Sequence, residues 1–173
     1  MRSRSTPRQL STESELYNSA LRALMRRAHS IHEMREYLGR RSQDEDMISQ
    51  VVARLREQKY LDDARYAADY ARLHSQTRKQ GRFRISRELR ARGVPDHYID
   101  AALDTALAET DEAQMVRAKL QRRLAHLRGP LDERKRASLY ASLLRAGFSG
   151  ETIRAELRNV THGATELPSE AVE

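Results

Sequence analysis

The sequence contains no cysteine, few glycines and prolines, and no long hydrophobic run, and each of these shortages limits the kind of protein that the chain can be. Without cysteine the chain has no disulfide, no thiolate metal ligand and no cysteine nucleophile. Seven glycines and four prolines among 173 residues signal few turns and favour helices. The apolar run at 139–144 is among the longest and is too short to span a membrane. The polar N-terminus lacks the apolar part of a secretory signal, so we expect no membrane association and a cytoplasmic location.

Charged residues are abundant where turn residues are scarce. They make up 33% of the chain, whereas about 25% is usual in soluble domains. With a hydrophobic fraction of 39%, this excess of charge argues against one large globular core and favours thin helical layers in which each helix buries one apolar stripe. The net charge of +7 and the pI near 10.0 favour a polyanionic partner, with nucleic acid ahead of a membrane surface.

The positive charge is concentrated in one stretch, which we call the basic segment. It contains eight basic residues and one acid, Glu88, whereas the rest of the chain carries 24 basic and 24 acidic residues. The basic residues are Arg72, Arg78, Lys79, Arg82, Arg84, Arg87, Arg90 and Arg92. Because solvated helix faces ordinarily mix both signs, we interpret the segment as a surface that binds phosphates or an acidic partner without reading sequence. A second cluster, from Arg117 to Arg136, is interrupted by Asp132 and Glu133, and both interpretations remain open for it.

Apolar periodicity predicts nine helices, and a repeat runs through them. Apolar and small residues recur at the same relative positions, with offsets of 51 and 54 residues between copies. The three copies contain Leu38-Ser42-Ile48-Val52, Leu89-Gly93-Ile99-Leu103 and Leu143-Gly147-Ile153-Leu157. We therefore predict an all-α fold of three tandem three-helix repeats at 13–59, 60–108 and 109–160. Stacked repeats of this kind form an elongated, curved module, here between tails at 1–12 and 161–173 that we predict to be disordered.

Seven residues form the predicted core of the second repeat. Helical spacing places most of them on the inner faces of the fourth, fifth and sixth helices. They are Tyr60, Leu61, Tyr66, Ile85, Leu89, Ile99 and Leu103. The tyrosines of the chain have a second interpretation as platforms that stack on bases, but most of them follow core spacing, so packing is preferred.

Nothing in the sequence indicates an enzyme. Asp62 and Asp63 lie at a predicted helix start, where acids usually cap the helix and complement its dipole. The six histidines are scattered, and there is no phosphate-cradling glycine loop or nucleophile–histidine pattern. We therefore expect no catalytic residue, no metal and no cofactor.

Three groups of residues resemble the RecX family of regulatory proteins. The central group is Tyr60-Leu61-Asp62-Asp63, Arg65-Tyr66-Ala67, Arg72, Gly81, Arg84-Ile85, Glu88-Leu89 and Arg92-Gly93-Val94. Upstream, Ala20 to Leu38 resembles the first repeat of the family, and downstream Leu144 to Phe148 resembles its third. The resemblance covers about residues 15–160. Two positions depart from the family pattern: Gln80 replaces a frequent aromatic residue, and Phe83 replaces a smaller one.

The resemblance implies three tandem three-helix repeats and a regulatory function. It implies binding to the RecA recombinase filament on single-stranded DNA, with inhibition of ATP hydrolysis and strand exchange. On this reading the protein, which we expect to be a monomer, lies in the helical groove of the filament and modulates recombination and DNA repair.

Two other functions remain as alternatives. One is a free nucleic-acid-binding protein similar to a helix-turn-helix regulator, although the start of the sixth helix, Asp96-His97-Tyr98, is poorly suited to reading bases. The other is a metal-dependent nuclease that uses Asp62, Asp63 and Glu88.

Overall fold

Helices make up the regular structure of the chain in the computed structural model, which describes residues 9–108 and 110–163, with side chains as far as 160. Within these ranges there are nine helices and no strand, and the predicted all-α fold class is confirmed. The helices are α1 (Glu13–Leu24), α2 (Ile31–Gly39), α3 (Glu45–Glu57), α4 (Asp63–Gln76), α5 (Arg82–Arg90), α6 (Asp96–Leu107), α7 (Glu112–Leu124), α8 (Glu133–Arg145) and α9 (Gly150–Gly163).

Short polar side chains fix where several of these helices begin. Ser30 and Glu33 form a capping box at the start of α2: the Ser30 hydroxyl accepts from the Glu33 N–H at 3.1 Å, and the Glu33 carboxylate accepts from the Ser30 N–H at 3.2 Å. Asp44, Asp111 and Asp132 cap α3, α7 and α8, and each carboxylate accepts from backbone N–H groups in the first turn of its helix. These caps satisfy backbone donors that a helix leaves unpaired in its first turn.

The chain divides into two compact units. Unit 1 comprises Met1–Tyr70 and Glu88–Ala102, and unit 2 comprises Ala71–Arg87 and Leu103–Glu173. The division falls within α4, α5 and α6, so each of these helices contributes residues to both units. The three-repeat boundaries stay a prediction.

The core of unit 1 lies among α1, α2 and α3. Its buried residues are Leu16, Ala20, Ala23, Met34, Leu38, Ile48, Val51, Val52, Leu55 and Leu61. Leu10, from the segment predicted to be a disordered tail, packs against this cluster, and its N–H donates to the Arg41 carbonyl at 2.7 Å. Residues 9–12 of that segment therefore have defined positions, and Thr12 caps α1, whereas residues 1–8 lie outside the described residues.

The core of unit 2 lies among α7, α8 and α9. Its buried residues are Val116, Leu120, Leu139, Leu143, Phe148, Ile153 and Leu157. Helix α9 continues to Gly163, three residues into the second predicted tail, and residues 164–173 of that tail lie outside the described residues.

One residue of the predicted core of the second repeat was assigned wrongly. Leu61, Ile85, Leu89, Ile99 and Leu103 are each no more than 2% exposed. Tyr60, however, is 57% exposed, although the adjacent Leu61 is buried as predicted. The cause is the left-handed backbone of Lys59 (φ 61°), which ends the turn after α3 and directs Leu61 inward. Tyr66 is half-buried, and its hydroxyl donates to the Glu33 carboxylate at 3.4 Å.

Candidate nucleic-acid interface

The basic segment is shared unequally between the two units. Arg90 and Arg92 belong to unit 1, and the other six residues of the segment belong to unit 2. Over the whole chain, unit 2 carries 17 basic and 11 acidic residues, and unit 1 carries 15 and 14. Of the net charge of +7, unit 2 therefore holds +6. The positive charge that favours a polyanionic partner is a property of unit 2.

The two arginines in unit 1 are engaged with their own unit. Arg90 Nε donates to the Asp96 carboxylate at 2.7 Å. Arg92 donates to the Glu88 carbonyl at 2.6 Å, and its guanidinium lies 4.8 Å from the centre of the Tyr70 ring. The sequence placed Arg90 with the other cations of the basic segment, but its ion pair with Asp96 is a contact that composition does not reveal.

Several basic-segment cations in unit 2 are better placed to contact a ligand. Arg82 is paired with Asp104 at 2.8 Å, and Arg72 and Arg84 have contacts of their own. Arg78, Lys79 and Arg87 are exposed, and among the residues that the structure describes no acid lies within ion-pair distance of them. We call these three residues the exposed cations. No acid occurs in the sequence between Asp69 and Glu88, so Arg78 and Lys79 have no acid near them in the chain, whereas Arg87 is followed by Glu88.

Backbone hydrogen bonds attach the start of α5 to the turn between α8 and α9. The Gly81 N–H donates to the Ala146 carbonyl at 2.9 Å, and the Phe83 N–H donates to the Gly147 carbonyl at 3.1 Å. The two backbone segments approach so closely that a Cβ on Gly81 would lie 2.2 Å from the Gly147 oxygen. The loop before Gly81 is held by the buried pair of His74 Nδ1 and Gln80 Oε1, 2.7 Å apart. The loop that carries Arg78 and Lys79 is therefore anchored at its end, Gly81, within unit 2.

Helix α7 carries part of the second basic cluster, for which the sequence left both interpretations open. Burial lowers the pKa of the Lys119 ammonium, and the positive charges of Arg123, Arg122 and Arg84 lower it further. The charge of Arg84 in the basic segment and those of Arg122 and Arg123 in the second cluster thus act on the same ammonium group. We call Arg84, Lys119, Arg122 and Arg123 the α5–α7 basic group. Like charges held together at a cost are stabilised by an anion, which makes this group a candidate phosphate site.

The acids considered for a nuclease have structural partners instead. Asp62 accepts from the Arg65 N–H at 3.1 Å and so caps α4. Asp63 is buried and accepts from the Ile31 N–H at 2.9 Å, and burial raises the pKa of its carboxyl group. Glu88 accepts from the Tyr70 hydroxyl at 2.5 Å. Within residues 9–108 and 110–163, no three His, Asp or Glu side chains are grouped so that they could hold a metal ion.

Across the same part of the chain, no helix combines the length and apolar character needed to cross a membrane.

Comparisons with known proteins agree on one family. Residues 17–55 match the first three-helix domain of RecX, and residues 62–103 match the second. "Regulatory protein RecX" of Halorhodospira halophila is 37% identical over 138 residues, which cover 80% of this chain and 83% of that relative. The protein of the same name from Chlorobaculum tepidum is 30% identical over 148 residues, covering 86% of this chain and 89% of the relative.

A solved structure has the same fold. The crystal structure of RecX from Lactobacillus salivarius superimposes with a TM-score of 0.65 at 25% identity and covers 87% of this chain and 97% of its own. The predicted resemblance is confirmed over most of the sequence, and the chain belongs to the RecX family of regulatory proteins.

Proposed function

We propose that this chain regulates recombination and DNA repair by binding RecA recombinase filaments on single-stranded DNA and inhibiting their ATP hydrolysis and strand exchange. Membership of a family of regulatory proteins supports the regulatory role. The observation that carries the contact with DNA is the concentration of uncompensated positive charge in unit 2. On this proposal the protein performs no covalent chemistry, and it acts by occupying the filament.

Two groups of cations supply the phosphate contacts in this proposal. The exposed cations, Arg78, Lys79 and Arg87, meet phosphates without first breaking an internal ion pair. The α5–α7 basic group provides a partly buried position, Lys119, where a phosphate relieves repulsion that is already present. Contacts of this type give affinity that depends on salt and not on base sequence.

A charge-matched pair of variants tests the proposal. In the first, Arg78, Lys79 and Arg87 are all replaced by Gln. In the second, Arg22, Arg26 and Arg40, which are exposed in unit 1, are all replaced by Gln. Both variants lose three charges, so a difference between them reports position and not net charge.

We expect only the first variant to lose function. For single-strand binding by fluorescence anisotropy, the slope of log affinity against log salt should become shallower by about 0.7 per phosphate contact, or roughly two units for three contacts. Inhibition of RecA ATP hydrolysis should weaken in parallel. Equal losses in both variants would contradict a role for this surface.

The same measurements distinguish the alternatives. If inhibition of RecA falls while affinity for bare DNA is unchanged, the exposed cations contact RecA and not DNA. If the wild-type chain binds single-stranded DNA but never alters RecA ATP hydrolysis, the protein is a free nucleic-acid binder and the proposed function is wrong.

A further inference from the structure

One aromatic ring lies exposed in the middle of the basic segment. Phe83 is 63% exposed, whereas the other phenylalanine of the chain, Phe148, is 1% exposed in the core of unit 2. A phenylalanine ring that is left in water forgoes the free energy that burial would provide. The packing of unit 2 therefore does not account for an aromatic residue at this position.

The backbone beneath the ring is held in place. The Phe83 N–H donates to the Gly147 carbonyl at 3.1 Å, and two residues earlier the Gly81 N–H donates to the Ala146 carbonyl at 2.9 Å. Phe83 lies in the first turn of α5, so its backbone is also part of a helix. A ring on a fixed backbone loses little conformational freedom when a ligand packs against it.

The charges around the ring identify the class of ligand. Its sequence neighbours, Arg82 and Arg84, are basic, and Arg84 belongs to the α5–α7 basic group. A cluster of cations favours an anionic partner over an apolar protein surface. Single-stranded DNA presents phosphates and unstacked base faces together, and proteins that bind it combine cations with aromatic platforms.

We propose that Phe83 is a stacking platform for an unpaired base of single-stranded DNA, with flanking phosphates held by Arg84 and Lys119. This inference rests on the proposed function and adds a specific contact to it. It also gives a physical reason for the departure from the family pattern at this position, because a smaller side chain has no ring to stack.

The first test uses strands with and without bases. Phe83→Leu keeps an apolar side chain of similar size but removes the π face. Stacking contributes about 1–3 kcal/mol per base, so the variant should bind oligo(dT) roughly 5- to 150-fold more weakly. Its affinity for an abasic strand of equal length, and its salt slope, should match the wild type. Tyr60→Leu, which removes an aromatic ring of similar exposure from unit 1, serves as the control and should bind both strands normally.

The second test is spectroscopic. The chain contains no tryptophan, so Phe83→Trp introduces a single indole at the proposed platform. Its emission should be quenched when oligo(dT) saturates the protein, and the abasic strand should leave it nearly unchanged.

Three results would overturn the stacking inference: equal oligo(dT) affinity for Phe83→Leu and wild type, unchanged indole emission at saturation, or an equal loss of affinity for the abasic strand. A loss of RecA filament binding with unchanged affinity for bare strands would show that Phe83 contacts protein, which also refutes stacking but leaves the proposed function intact. Conversely, a base-dependent Phe83 effect in a chain that never inhibits RecA would support the stacking inference while the proposed function fails.

Discussion

Replacing Gly81 with alanine should release the start of α5 from the turn between α8 and α9. A Cβ at this position would lie 2.2 Å from the Gly147 oxygen, 2.4 Å from the Gly147 carbonyl carbon and 2.7 Å from the Phe148 nitrogen. All three atoms belong to backbone, so no flexible side chain can move aside. The two segments have to separate, and the hydrogen bonds from Gly81 to Ala146 and from Phe83 to Gly147 lengthen or break.

The expected loss of stability follows from these hydrogen bonds and from the added carbon. Each backbone hydrogen bond contributes about 0.5–1.5 kcal/mol net, and forcing an extra carbon into a packed site costs about 1–3 kcal/mol. Gly81→Ala should therefore lower the free energy of unfolding by roughly 2–6 kcal/mol, which is a large part of the 5–15 kcal/mol typical of a folded protein.

Gly39→Ala is the matched control for this experiment. Gly39 is the last residue of α2, and a Cβ there would meet nothing within 4 Å. Because alanine restricts the unfolded chain more than glycine does, this variant should be unchanged or more stable by up to about 1 kcal/mol. Urea denaturation followed by circular dichroism measures both. A Gly81→Ala protein within about half a kcal/mol of the wild type would refute the close approach described here.

Two further predictions concern a partly buried and a buried charge in unit 2. Lys119→Met removes an ammonium whose pKa is lowered by burial and then by three arginines, so the free energy of unfolding measured in urea should rise. The salt slope of single-strand binding should become shallower by about 0.7 because one phosphate contact is lost. A variant less stable than the wild type would contradict the repulsion. The second prediction involves Glu156, which is buried and accepts from Arg117 at 2.9 and 3.0 Å, hydrogen bonds that lower its pKa below the usual 4.5. Its ionic contribution to stability is complete above pH 4.5 and is lost as the pH falls through the lowered folded pKa. The difference in stability between wild type and Glu156→Gln should therefore shrink in acid, and a difference that is independent of pH would argue against the ion pair.

Local signals in the sequence predict the helices well. The capping box of Ser30 and Glu33 and the caps at Asp44, Asp111 and Asp132 involve atoms three or fewer residues apart, so residue identity and spacing are sufficient. The clustering of positive charge is also visible, because it depends on composition along the chain.

The features that the sequence does not predict depend on contacts between residues that are far apart in the chain. Arg84 and Lys119 are 35 positions apart, and only the folded unit brings their charges together. The sequence places both Tyr60 and Leu61 in the predicted core, but in the turn that contains the left-handed Lys59 only Leu61 is buried. Periodicity describes which face of a helix is apolar, but it contains no information about the partners of that face.

The start of α2 depends on residues that are synthesised much later. The Ser30 hydroxyl donates to the Arg92 carbonyl at 2.5 Å, and the Ile31 N–H donates to the Asp63 carboxylate. A nascent chain that has emerged only as far as residue 59 contains α1, α2 and α3 but neither of these acceptors. Its first three helices can assemble their apolar faces, but the contact of Ile31 with Asp63 and that of Ser30 with Arg92 form only after those later residues have been made. Unit 1 therefore reaches its final state late in translation, after part of unit 2 has already been made.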